Sequence, residues 1–234
     1  MRTKITTLDH GFVKLLNISG PVRRHNQPFD ADDIDPAITA RISFDNMDEV
    51  RARELDLKLV DYLIRNQHTT PIEMIEVWLE MKLPIFLARQ FVRHRTAAIN
   101  EVSGRYVTLP EEWYIPEIIG GKAANVKQGQ EDNLPQSVQD NFKEELNEHC
   151  RIGFNDYLTA IHNGVAPEHA RLLLSLNHYT HWVWKQDLHN LMHFMRLRLN
   201  PHAQIEARIY AQAIHDLLDE SLPESMALFR KYRL

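Results

Sequence analysis

Between residues 89 and 105 the chain sets four arginines, Arg89, Arg93, Arg95 and Arg105, against one acid, Glu101. The local balance is +3 in a chain of net charge −5. A guanidinium is planar, always charged and able to grip a phosphate through two parallel hydrogen bonds. Ser103-Gly104 adds a hydroxyl and an unhindered backbone amide, both able to bind anions. The spacing therefore points to a site for one or two phosphorylated ligands. The same residues would also serve as a solvated basic helix end, or as partners for acids on a neighbouring helix.

Other residues allow other chemistry. His189 and His193 stand four apart, the spacing of two metal ligands on one helix face. With His178, His181 and His202 nearby in sequence they leave a metal-dependent hydrolase open, although no HExxH occurs and thirteen histidines make a chance pair unsurprising. Tyr179, Trp182 and Trp184 could stack bases beside the arginines, as in a single-stranded RNA module. Their alternation suits a strand core equally well. Leu191, Met192, Met195 and Leu199 fall at helical spacing and read as core. Cys150, the single cysteine, sits in the polar helical stretch EELNEHCRIG, far from the other candidates. Ser103 is a weak nucleophile without an adjacent base. Neither favours a covalent mechanism. There is no GxGxxG and no Walker motif.

These residues must be placed by a chain of 234 residues and 27.4 kDa, enough for one large domain. Hydrophobic residues make up 44% and charged residues 25%, which excludes general disorder, collagen and coiled coil. No run approaches about 18 uninterrupted apolar residues, so no transmembrane helix is expected. The start, MRTKITTLDHGF, lacks the apolar stretch of a signal peptide, and the cytoplasm is the expected location. The negative net charge argues against wholesale nucleic-acid binding. Neither a nucleic acid nor a membrane is an expected partner.

Residues 5–17 read as a strand and 20–37 as a loop. A helix is expected over 48–66, with Val50, Leu57, Val60, Leu63 and Ile64 on one stripe. Residues 67–73 break it. Residues 74–82 alternate as a half-buried strand, Ile75, Val77, Leu79 and Met81 to one side and Glu76, Trp78 and Glu80 to the other. Pro84 fits the first turn of a helix to about Arg93. A second extended run lies within 94–108 and contains Tyr106 and Val107. Residues 118–140 read as a mobile surface insertion rather than a domain boundary. Helices are expected over 136–163 and from Pro167, a strand over 175–184, and helices over 186–198 and 202–219. Strands and helices do not alternate as βαβ units. The expected fold is α+β, one domain with a mixed or antiparallel central sheet flanked by helices.

Arg93-His94-Arg95, followed by seven residues and Ser103, with Arg105-Tyr106 behind, resembles the signature of the flavin-dependent thymidylate synthases. Three further stretches are similar to that family: His68-Thr69-Thr70-Pro71 with Glu73, Arg171 within Glu168–Leu174, and residues 186–204 (QDLHNLMHFMRLRLNPHAQ). The resemblance runs from Ile5 to about Tyr210. Ala98 stands where the family often has serine, His193 where asparagine is common, and His189 where arginine can occur.

The resemblance implies conversion of dUMP to dTMP, with methylenetetrahydrofolate as carbon donor, FAD as hydride carrier and NADPH as reductant. It implies a homotetramer with active sites shared between subunits; on the residues themselves, no covalent protein nucleophile and no metal are expected. Arg198 matches the position that stabilises the polarised uracil. Arg93, Arg105 and Arg171 match positions that hold the phosphate. Gln90, Phe91, Val92, Val102, Ser103 and Gly104 match supporting positions, and Glu101 one that touches both substrate and flavin. For FAD the matching positions are Thr70, Arg93, His94, Arg95, Asp187, Leu188, His189 and His193. His68 matches a positioning histidine near flavin and folate.

Overall fold

The structure, a computed structural model, describes residues 2–22, 30–122 and 134–232, with the backbone of 130–131. The N-terminal stretch, expected as one strand, is a hairpin. β1 (Lys4–Thr7) and β2 (Gly11–Ser19) pair antiparallel, and Leu8 turns the chain at a left-handed φ of 52°. A β-carbon on Gly11 would lie 2.1 Å from the Tyr210 hydroxyl, so only glycine lets the strand pass there.

α1 (Asp35–Ala40) and a 3-10 turn, Arg41–Phe44, follow; residues 23–29 of the expected loop lie outside the described residues. The helix expected over 48–66 is shorter, α2 (Arg53–Arg65), and Val50 lies before it, 96% exposed. Val60, Leu63 and Ile64 are buried as the periodicity requires. Asp56 is buried beside them because Arg41 donates to its carboxylate. α3 (Thr70–Glu73) is a single turn opened by Pro71.

β3 (Glu76–Pro84) keeps the expected alternation. Pro84 ends it in extended geometry and caps α4 (Ile85–Phe91), one position earlier than expected. Of the extended run within 94–108, only β4 (Ala97–Glu101) is strand. Tyr106 and Val107 instead follow a turn, in which the Tyr106 amide donates to the Ser103 carbonyl at 2.9 Å.

In the stretch expected as an insertion, β5 (Gly121–Lys122) pairs with β6 (Gln130–Glu131), and residues 136–140 already belong to α5 (Gln136–His162). Residues 123–129 and 132–133 lie outside the described residues. After α6 (Pro167–Ala170) and the 3-10 turn Arg171–Leu173, the next strand begins later than expected, as β7 (Tyr179–Asp187), because the His178 amide first closes a turn on the Ser175 carbonyl. α7 (Leu188–Arg198) starts two residues later than expected, since Asp187 is its N-cap and accepts from the Asn190 amide at 2.9 Å. α8 (Ile205–Ser221) is followed by an unexpected helix, α9 (Pro223–Tyr232). Proline opens α9, and Asp33 accepts from the amides of Glu224 and Ser225.

The main sheet among the described residues has the order β1-β2-β3-β7-β4, antiparallel throughout. The pairing Met81↔Trp182 and Leu79↔Trp184 puts both tryptophans on the face of Val77, Leu79 and Met81. Side chains of α2, α7, α8 and α9 complete that core, among them Ile64, Leu191, Ile214 and Met226. The opposite face carries ion pairs, Lys14–Glu80 at 3.0 Å and Lys185–Glu76 at 2.9 Å. A second, small cluster of Phe154, Tyr157 and Ala170 anchors α5 to α6. The fold is α+β in one domain, with an antiparallel sheet.

Candidate active site

Phe91 ends α4 fully buried, 4.9 Å from the Phe194 ring and 6.2 Å from that of Tyr210. This anchor starts the basic loop. Val92, Arg93 and Arg95 then lie exposed, and His94 turns inward, its ring edge-on to Phe194 at 4.9 Å. Two features hold the loop. The buried Gln186 donates Nε2 to the Arg95 carbonyl at 3.1 Å, and Thr96 turns into β4 at a left-handed φ of 61°. A β-branched residue there is strained, and the surrounding pairing must hold it.

β4 carries the chain along the edge of β7, with Glu101 opposite Trp182. The Val102 amide donates to the His181 carbonyl at 2.8 Å, which fixes the turn that follows. Beyond it lies a cleft of about 530 Å³, whose lining includes Glu101, Val102, Ser103, Gly104, Arg171 and Thr180. Gly104 is buried against this wall: a β-carbon there would sit 3.2 Å from Leu109 Cδ1 and 3.4 Å from Arg171 Cδ. Arg105 turns outward and pairs Nε with Glu168 at 3.2 Å, and its amide donates to Ser103 Oγ at 3.3 Å.

A second group of candidates gathers at the C-terminal end of α7. Arg198 donates Nε and Nη2 to His94 Nε2 at 3.2 and 3.1 Å. Burial, then the Arg198 cation, then His193, push the His94 pKa down to about 4. His94 is therefore neutral at pH 7 and presents Nε2 as an acceptor. Burial lowers the Arg198 pKa as well, without bringing a guanidinium near neutrality. His193 lies 6.5 Å from His94, ring to ring, and accepts from Arg196 at Nδ1 at 2.9 Å. Its pKa is lowered by burial, Arg196 and His189.

The remaining candidates lie where the start of α7 meets α3. Gln67 turns the chain at φ 58° into His68, whose ring packs edge-on to Tyr62 at 5.8 Å, and Thr70 opens α3. α3 packs on α7, the helix of His189 and His193. Asp187 gives both carboxylate oxygens to Asn190. Leu188 is fully buried, and its amide donates to the Ile75 carbonyl at 2.8 Å. The Gln90 amide nitrogen donates to Gln204 Oε1 at the start of α8.

The sequence candidates thus separate within one chain. Glu101, Val102, Ser103, Gly104 and Arg171 line one cleft, with Arg105 at its rim. Arg198, His94 and His193 form a second group. Gln90, Arg93 and Arg95 lie on the segment between. Phe91 contributes packing rather than exposed surface. Thr180, Ser175 and Leu109 line the cleft without having been singled out by type or spacing. Thr180 carried a signal only through strand alternation, which puts it on the face of Trp182.

The arrangement can hold an anion and orient a polar ring. Arg93 and Arg95 are exposed and form no ion pair among the described residues, a donor set that fits an anionic dinucleotide. Among the described residues no group of three or more His, Cys, Asp or Glu side chains is placed to hold a metal ion. Cys150 is 2% exposed, with Sγ 3.2 Å from Ser175 Oγ and 3.3 Å from the Asn177 side chain. No described helix is long and apolar enough to cross a membrane.

Comparison with known proteins bears on these groups. A family model described as thymidylate synthase complementing protein matches residues 29–224. The chain is similar to the flavin-dependent thymidylate synthase of Gluconobacter oxydans, 38% identical over 237 residues, covering 99% of this chain and 74% of that protein. It is also similar to the flavin-dependent thymidylate synthase of Thermus thermophilus, 41% identical over 230 residues, covering 98% and 79%. A solved structure of a UMP/dUMP methylase from Streptomyces cacaoi, bound with 5-Br dUMP, shares the fold at a TM-score of 0.83 and 24% identity, covering 98% of this chain and 99% of that one.

Proposed function

Because the chain belongs to the family of flavin-dependent thymidylate synthases, we propose that it converts dUMP to dTMP with methylenetetrahydrofolate as carbon donor, FAD-borne hydride and NADPH as reductant. The observation that carries the reading is the cleft in which Glu101, Ser103-Gly104 and Arg171 face one another, with Arg105 at the rim. Arg171 and Arg105, with the Ser103 hydroxyl and the backbone at Gly104, hold the phosphate. The Glu101 carboxylate accepts from a ribose hydroxyl.

C5 of uracil is a poor nucleophile and gains electron density when the N3–C4–O4 unit is held in a polarised or anionic form. Arg198 supplies the fixed charge for that form. Neutral His94 supports the orientation of Arg198, because an imidazolium at the same distance would repel it. Arg93, Arg95, His189 and His193, with His68 and Thr70, would hold FAD. FAD in its reduced form would supply there the hydride that turns a methylene carried from the folate into a methyl group, chemistry no side chain offers. In that reaction dUMP would lose its C5 proton, the folate would leave as tetrahydrofolate, and NADPH would restore the reduced flavin. Burial of Cys150 supports a route without a protein nucleophile, since a sulfur sealed from solvent cannot reach C6.

The separation of the Arg171 cleft from the His94–Arg198 group supports a site completed by another subunit of a homotetramer. The rim supports it too: Leu172 and Leu176 are 76% and 66% exposed at the cleft, and among the described residues β4 leaves an open sheet edge. The test is turnover of C5-tritiated dUMP with and without FAD, reading both tritium release and dTMP. Flavin-dependent release of tritium with dTMP formation supports the reading; dTMP formation indifferent to flavin overturns it.

A further inference from the structure

We infer that Thr180 is a positioning residue that sets the Glu101 carboxylate in the cleft and thereby tunes affinity for the nucleotide. The inference rests on the assignment of this cleft to dUMP. Thr180 is 5% exposed, yet its side chain reaches the cleft from β7. Its hydroxyl donates to Glu101 Oε1 at 2.5 Å. The contact follows from the register. Glu101 stands opposite Trp182, and two residues back along β7 Thr180 returns to the same face. Backbone bonds fix both ends: Thr180 stands opposite Leu83 in the strand ladder, and the Val102 amide is held by the His181 carbonyl.

Glu101 needs such a tether. It ends a short edge strand and is itself exposed. A glutamate in that position samples several rotamers, and ordering it when a ligand arrives costs affinity. With Oε1 taken by a buried donor, Oε2 has no hydrogen-bond partner among the described residues and stays available to a ligand hydroxyl. A hydroxyl donating to a carboxylate is among the stronger hydrogen bonds of a protein.

The test is dUMP binding by calorimetry and steady-state kinetics on the FAD-loaded enzyme. Thr180→Val keeps shape and removes the donor. Kd and KM for dUMP are expected to rise about tenfold, with kcat within about twofold, as the loss of one charge-assisted hydrogen bond predicts. Thr180→Ser restores the donor and is expected to recover parental affinity. In a Glu101→Ala background, Thr180→Val is expected to add no further loss, since nothing remains to be positioned. An unchanged Kd in Thr180→Val, or an equal loss in the Glu101→Ala background, overturns the inference while leaving the cleft assignment intact. If Thr180→Val does not fold, Thr180→Ala carries the same expectations. Parental enzyme that binds no dUMP overturns both the assignment and the inference.

Discussion

Arg198 and His94, 104 residues apart in sequence, meet through two hydrogen bonds to one imidazole nitrogen, at 3.2 and 3.1 Å. Both guanidinium nitrogens donate, so Nε2 must accept and the ring proton lies on Nδ1. The folded-state pKa near 4 is below the ordinary value of 6.5. The unfolded chain therefore takes up this proton first as pH falls, and folding stability drops between about pH 6.5 and about pH 4. His94→Gln keeps an acceptor and does not titrate. Across that window the melting temperature of the parent is expected to fall more steeply than that of His94→Gln; parallel curves would count against a neutral, accepting His94.

Arg198→Ala removes the fixed charge proposed to stabilise the polarised uracil. Tritium release from C5-labelled dUMP is expected to fall about a hundredfold or more, on the scale of losing one preorganised electrostatic donor. Flavin absorbance of the purified variant is expected to persist. Near-parental release by the variant removes Arg198 from the proposed role.

Cys150→Ala separates packing from chemistry. The thiol is buried against Ser175 and Asn177, so its loss is expected to cost about 1–2 kcal/mol of stability through a small cavity and a weakened polar contact. Turnover at a temperature where the variant is folded is expected to match the parent. A loss of several orders of magnitude in kcat would restore a covalent mechanism.

The mass in solution tests the shared site. Light scattering behind gel filtration is expected to give four chains. Replacing Leu172, 76% exposed at the cleft rim, by Glu is expected to lower that mass and to reduce dUMP turnover together. A fully active monomer would contradict a site built between subunits.

The sheet was legible because its strands alternate cleanly: Val77, Leu79 and Met81 have one reading only, and the tryptophans of β7 follow it. Helix ends were less so. Asp187, which matches a family position for FAD, is also the N-cap of α7, and Val50 fits an apolar stripe that begins after it. α9 escaped because Pro223 resembles a stop, whereas proline at the first position of a helix is a start. At the candidate site, charge and spacing pointed to the arginines of residues 89–105 and to Ser103-Gly104, whereas Glu101, Arg171 and Arg198 were singled out through the family resemblance. Thr180 and the Arg198–His94 contact depend on which strands and helices adjoin, which no local pattern records. Leu188 and Phe91, which match family positions, are fully buried, a placement their apolar type and neighbours in the core explain.

Thr96 holds a conformation that a glycine would adopt without penalty. Relieving it would gain roughly 1 kcal/mol of folding free energy, and the guanidinium-bearing segment would lose its stiffest joint. A glycine there would ease the turn and at the same time loosen the hinge between Arg95 and the first residue of β4, so heat resistance gained at this position would come with a slacker loop.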